Sequence, residues 1–532
     1  MRSILRRVYR ALPLSVRNRI GVLRKRWGGL REQSTGPLAE AFVLLGQGRT
    51  EEALCLARAQ EHRNERGLEA LCWEALSRGS DSALVYNALS AELRRRGEHQ
   101  MVDQLASGVR SAGLGRVGRG DLTGAVQFFE EVEETFPEVA SAYLELYRLI
   151  GGMLDDLSLE SASEPPARRE AIVSLTVWGD RYADLLLRYF LPSMLAPGNI
   201  PEVARRREVC FEIYTTPDLA SKIERAPIVS ALREHAAFRI VTFPTSLIES
   251  AEYRREPNTR YYIYGGFHHV SMARAGVRGA DLFCIAPDGV HADGSFGSYI
   301  GMIDEGAEAV VFTSVRGQAE HLLPELDAYR HDSGALCIPP RKLVGLAVQN
   351  VHHDFARYVL APEVSHAPQN MSIYLIPTRT GFVVRAFHLH PIALSADCLR
   401  RSAEWDFSTV DGNMMARIFK DPDDWKKIRI VETSDQGAMM DLTYQMEEFP
   451  FPERRFSPEE LTQAARHFEP LHHWYFSHRI LYEADQEFEA VGCYERSDAG
   501  DLERRRLSLP TDGLALADDM AMRVAAARES IS

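Results

Sequence analysis

Paired cysteines are missing from this sequence. Its seven cysteines, Cys55, Cys72, Cys210, Cys284, Cys337, Cys398 and Cys493, are odd in number, widely spaced and never in a C-x-x-C pair. That pattern excludes a disulfide framework and a zinc ribbon, and it implies a reducing cytosol. No apolar run reaches the roughly 18 residues that a membrane-spanning helix needs. The N-terminus is positive but has no uninterrupted apolar core, which argues against a cleaved signal peptide. A nucleophile elbow, a P-loop and an H-E-x-x-H motif are absent as well, which weighs against serine hydrolases, P-loop NTPases and zincins. A basic surplus is also lacking. The net charge of −13 argues against a nucleic-acid partner.

The charge that is present is uneven. Residues 1–31 hold ten Lys and Arg and no Asp or Glu, so the remainder carries about −23. Ile4, Leu5, Val8, Tyr9 and Leu12 recur at helical spacing among Arg2, Arg6, Arg7 and Arg10, until Pro13 breaks the pattern. A second amphipathic stretch follows, closed by Trp27. An apolar stripe bordered by arginines suits an anionic membrane surface, and a basic tail or targeting segment is the alternative. The expected location is cytoplasmic, peripheral at the inner face of the cytoplasmic membrane. The Arg-rich start around ALPLSVR resembles the N-termini of bacterial enzymes of surface-polysaccharide assembly.

At 532 residues the chain is too long for one core. From 37 to 155 it is rich in Ala, Leu, Glu and Arg with apolar residues three and four apart, which predicts an all-α segment. Two phrases, AFVLLGQGRTEEALCLARAQ and GRGDLTGAVQFFEEVEETFPEVASAYLEL, resemble tetratricopeptide helix pairs. Their turn glycines, Gly48 and Gly120, lie close to two periods of the roughly 34-residue repeat apart. Such a segment is expected to hold a protein partner or an acceptor rather than to carry chemistry. A plain helical bundle is the alternative. Residues 156–169, rich in Ser, Glu and Pro, read as a linker.

Beyond the linker, AIVSLTVWGD, VCFEIYTT, FRIVTFP, ADLFCIAPDGV and AEAVVFTSV are short apolar runs separated by helical patterns. They predict an α/β domain over 170–440 with a mainly parallel sheet covered on both faces. Ligands of such sheets bind at the carboxyl ends of the strands. Trp178, Asp180, Thr215, Thr216, Asp288, Asp293, Ser295 and Arg316 follow those ends. Further on, TGFVVRAFHLHPIAL reads as one strand, on which His388 and His390 face the same way. Residues 441–532 are expected to form a helical extension.

A sheet that begins TVWGD, runs on to IYTT and carries the acidic turn PDGVHADGS after its fourth strand resembles the nucleotide-sugar-binding half of a GT-A-type glycosyltransferase. The resemblance implies transfer of a sugar from a nucleotide-sugar donor to a saccharide or protein acceptor, in cell-surface polysaccharide or glycoconjugate synthesis. It implies donor contacts from Trp178, Asp180, Thr215, Thr216, Asp288, Ser295 and Arg316. It also implies a divalent metal, Mn or Mg, on Asp288 and Asp293 with His388 and His390, because a leaving diphosphate needs its charge stabilised. The chain departs from the family's Asp-x-Asp turn: Asp288 has no acid two positions on, and Arg316 or a histidine can supply part of the charge instead. Asp411 is the candidate general base of an inverting transfer. Two other readings are a non-enzymatic repeat scaffold and a metal-dependent hydrolase using His388, His390 and Asp288.

Overall fold

The structure, a computed structural model, describes residues 37–58, 65–77, 80–160, 168–256, 258–364, 366–368, 372–401, 410, 413–446, 453–455, 460–461, 465–466, 468–496 and 501–529. The chain divides into two compact units. The first holds the N-terminal residues up to 156 together with 245–266. The second holds 157–244, 267–403 and the rest of the chain from 409. The segment 245–266 therefore departs from the expected 170–440 domain and joins the helical unit. Among the described residues, no helix is long and apolar enough to cross a membrane.

The first unit contains α1 (Pro37–Gly46), α2 (Thr50–Arg58), α3 (Glu65–Ser77), α4 (Ala83–Arg95), α5 (His99–Val117), α6 (Leu122–Val132) and α7 (Pro137–Glu160). Neighbours in sequence pack in pairs, α1 on α2, α3 on α4 and α5 on α6. Gly48 and Gly120 turn the chain between paired helices with φ of 82° and 78°, a region that costs glycine little. Asp121 then caps α6, its carboxylate accepting the Gly124 amide at 2.9 Å. Ala125 and Phe128 are buried as their spacing predicts. Phe129 stacks on Tyr143 with ring centroids 5.3 Å apart. Gly113 lies against the Phe129 ring where no Cβ fits. The helix α7 runs on through 156–160, so the linker is shorter than its composition suggests, and residues 161–167 lie outside the described part.

The second unit is built on a seven-stranded sheet of order β12-β6-β11-β4-β1-β2-β3. Its strands are β1 (Glu170–Val177), β2 (Glu208–Thr215), β3 (Ala236–Thr242), β4 (Asp281–Ile285), β6 (Ala309–Phe312), β11 (His390–Leu394) and β12 (Ile428–Ile430). All run parallel except β11, which lies antiparallel between β4 and β6. The five strands predicted in order are present, because runs such as Ala171–Val177 are buried along their whole length and need cover on both faces. Val173, Leu175, Phe211, Ile213, Phe283 and Ile285 fill the core.

Smaller sheets flank this one. The set β5 (Gly289–His291), β7 (Val315–Gln318) and β13 (Met439–Thr443) forms a sheet with β13 in the middle. A second contains β9 (Ile373–Thr378), β10 (Gly381–Ala386) and β15 (Ile480–Glu483). Two-stranded ribbons join β8 (His366–Pro368) to β14 (Glu453–Arg455), and β16 (Ala490–Arg496) to β17 (Leu502–Ser508).

Two expectations are corrected here. The region 441–532 is not a helical extension. It contributes β14–β17 and the helices Pro470–Ser477 and Gly513–Glu529. The aromatic run after Pro470 stops being helical at Ser477, and Ile480–Glu483 pairs with β10 instead. The phrase TGFVVRAFHLHPIAL is likewise two strands, β10 and β11, because the chain changes sheets at Phe387–Leu389.

Candidate functional site

The order of the main sheet locates the site. From β1 the chain winds outward to β2 and β3, then returns to β4 on the other side of β1. The loops leaving β1 and β4 therefore diverge, and the opening between them at the carboxyl end is where open α/β sheets bind ligands. The β1 loop is Trp178-Gly179-Asp180, with Gly179 at φ 76° turning the chain into the helix Asp180–Leu185. The β4 loop is Ala286-Pro287-Asp288, which leads straight into β5.

The loops meet on one strand, β13. The Leu442 amide donates to the Asp288 carbonyl at 2.9 Å. The β13 residue Asp441 aligns with Gly289 on one side and with Arg316 on the other. Ser314, just past β6, donates its hydroxyl to the Asp441 carboxylate at 2.6 Å. The Arg316 guanidinium reaches the Thr443 hydroxyl at 3.4 Å. From the first turn of the helix after β1, the Arg181 guanidinium lies over the Tyr444 ring, 5.0 Å from its centroid. Burial pushes the Tyr444 phenol above its ordinary value, and Arg181 opposes that shift. The segments after β1, β4 and β6 thus bring the Asp288 turn, the Ser314 hydroxyl and two guanidinium groups to residues 441–444, where Asp441 adds a carboxylate.

Histidines occupy the neighbouring ground. His390 opens β11, and its Nε2 pairs with the Cys284 carbonyl of β4 at 2.9 Å. His268 and His269 are fully buried on the helix Thr259–Arg278. Burial holds the His268 imidazole well below its usual range, and the nearby His390 and His269 push it the same way.

Several sequence candidates have other work. Asp293 accepts the Gly198 amide on Oδ1 at 2.7 Å, a turn-holding role. Ser295 bridges to Ala438, donating to its carbonyl at 3.3 Å and accepting its amide at 3.2 Å. The Asp180 side chain is 85% exposed and pairs with Lys222 at 3.1 Å. Thr216 stands at the N-cap of the helix Pro217–Glu224 without a side-chain cap bond. The Thr215 hydroxyl is buried at the end of β2. Trp178 packs edge-on against Phe243, with centroids 6.3 Å apart. Asp411 lies outside the described residues.

The metal set implied by the resemblance does not assemble. His388 lies in the break between β10 and β11, against Phe468 and His472, while His390 turns to Cys284. Asp293 is committed to Gly198. Among the described residues, no three His, Cys, Asp or Glu side chains converge as metal ligands. Asp421-Pro422-Asp423 has the spacing of an Asp-x-Asp turn but precedes β12, at the amino end of the sheet. Its Asp421 caps a short helix and its Asp423 pairs with Lys426. Gly113-x-Gly115-x-x-Gly118 lies along α5 and its C-cap, not on a strand-to-helix turn, so it cradles no phosphate.

Asp441, Ser314 and Arg181 were not among the sequence candidates. Asp441 had a signal: an acid inside the apolar run MMDLT is costly to bury without a purpose or a partner. No protein-family model and no curated protein matches the chain.

Proposed function

We propose that this chain is a glycosyltransferase of GT-A-like architecture that takes a nucleotide-sugar donor at the opening between β1 and β4. The observation that carries the reading is the convergence of the loops after β1, β4 and β6 on residues 441–444. Trp178, braced by Phe243, offers an aromatic surface at the β1 end for a nucleobase. Arg316 offers positive charge for a diphosphate beside the Asp288 turn. In the transfer, an acceptor hydroxyl oxygen bonds to the anomeric carbon as the bond from that carbon to the diphosphate oxygen breaks. The electron pair stays on the diphosphate, and the acceptor proton passes to a carboxylate. Asp288 and Asp441 are the acids that the described part of the site offers for that proton. The tetratricopeptide-like unit holds the acceptor or a protein partner, and residues 1–31 rest on an anionic membrane surface.

Calorimetry of the full chain with UDP-, GDP- and CMP-sugars, with and without Mn²⁺, tests this. Saturable binding of one donor is expected. No binding to any of them would leave a non-enzymatic scaffold as the better reading.

A further inference from the structure

The charge of a departing diphosphate must be met by something at the site. Three of the four residues implied for a metal point to separate neighbours: Asp293 to Gly198, His388 to Phe468 and His472, His390 to Cys284. Two guanidinium groups do the opposite. Arg181 comes from the first turn of the helix after β1 and Arg316 from β7, and they reach the adjacent residues Tyr444 and Thr443. They therefore both reach one short piece of chain, residues 443–444, which continues the strand that holds the Asp288 turn. The planar guanidinium fork matches phosphate oxygens two at a time and stays charged at any working pH.

We infer that Arg181 and Arg316 form a clamp for the donor diphosphate that supplies the charge without a metal ion. The inference rests on the glycosyltransferase reading, since it concerns the same donor. As the anomeric carbon–oxygen bond breaks and the electron pair moves onto the diphosphate, the two guanidinium groups face the oxygens that gain charge. The Thr443 hydroxyl is the partner that holds the Arg316 side chain on the strand.

The test is donor calorimetry on the full chain in EDTA and in Mn²⁺, for the wild type and for Arg181→Ala, Arg316→Ala, Arg181→Lys and Arg316→Lys. Thermal melts identify any variant that fails to fold, and the lysine variants keep the charge where an alanine variant does not fold. The clamp predicts wild-type affinity in EDTA within about twofold of that in Mn²⁺. It predicts that each alanine variant binds roughly tenfold or more weakly, as loss of a charge-assisted contact implies, with no rescue by Mn²⁺. Lysine variants should fall in between. Donor binding seen only with Mn²⁺ overturns the clamp and leaves the glycosyltransferase reading standing. Alanine variants that fold and bind as wild type do the same. Absence of donor binding in both buffers overturns both.

Discussion

At the amino end of the main sheet, Asp281 is buried and receives Arg169 at 2.6 Å and Arg207 at 2.8 Å. Arg207 continues to Asp304 at 2.5 Å, Arg278 pairs with Glu170 at 2.5 Å, and Arg401 joins Glu308 to Asp424. Every one of these acids has an arginine closed on it. At the carboxyl end the same residue types, Asp288, Asp441, Arg181 and Arg316, come from distant parts of the chain to one stretch of β13. One end binds strands and helices into a frame, and the other presents polar groups at an opening. Residue type alone does not distinguish them; position along the strand does.

The comparison breaks first if the amino end proves dispensable. Asp281→Ala leaves Arg207, 7% exposed, without its main partner, and removal of one member of a buried pair costs about 3–5 kcal/mol. Urea unfolding at neutral pH should read that loss, while donor affinity of the folded fraction stays at the wild-type level. A loss below about 1 kcal/mol would mean that the network is not a frame.

His291 sharpens the comparison behind the carboxyl end. Its imidazole is fully buried between Phe190 and Phe296, and burial pushes its pKa down to about 3. The unfolded chain takes up a proton near pH 6.5 and the folded chain does not, so stability is complete above that pH and falls as pH drops toward 3. The loss at pH 5 is about 2 kcal/mol relative to pH 8. His291→Phe should flatten that pH dependence in urea titrations. An unchanged slope would assign it to other groups.

Asp288→Asn should abolish donor binding with a stability loss below about 1 kcal/mol, because the substitution keeps the shape of this half-buried side chain. A variant that folds and transfers sugar normally would remove Asp288 from the site. The smallest effect belongs to Lys222→Ala, which breaks a solvent-exposed pair with Asp180 and should cost no more than about 0.5 kcal/mol in the same unfolding measurement.

The central strands of the parallel half were legible because burial on both faces writes a nearly continuous apolar run into them, as in Leu282–Ile285, whereas the edge strand β3 is largely exposed. The C-terminal strands were not. In β17 exposed arginines and glutamate outnumber buried positions, so no period survives to be read. The break at Phe387–Leu389 was hidden as well, since both sides of it are apolar and only the sheet pairing separates them. Of the candidate site, sequence reading reached only residues next to a strand end, Asp288 and Arg316. It missed Asp441 and Ser314, whose hydrogen bond spans 127 positions, because proximity of that kind is created by the fold.

The antiparallel strand β11 has a consequence for how the sheet is completed. Strands β1 to β4 are all in place once residue 285 has left the ribosome, and they can pair as a unit. Strand β6 follows soon afterwards but has no neighbour in the sheet until β11 arrives at residues 390–394, and β12 must wait for β6. Assembly is therefore expected in two stages, with a lag set by the long closure between β6 and β11. During that lag β6 and the outer edge of β4 stand open to pairing with the wrong strand.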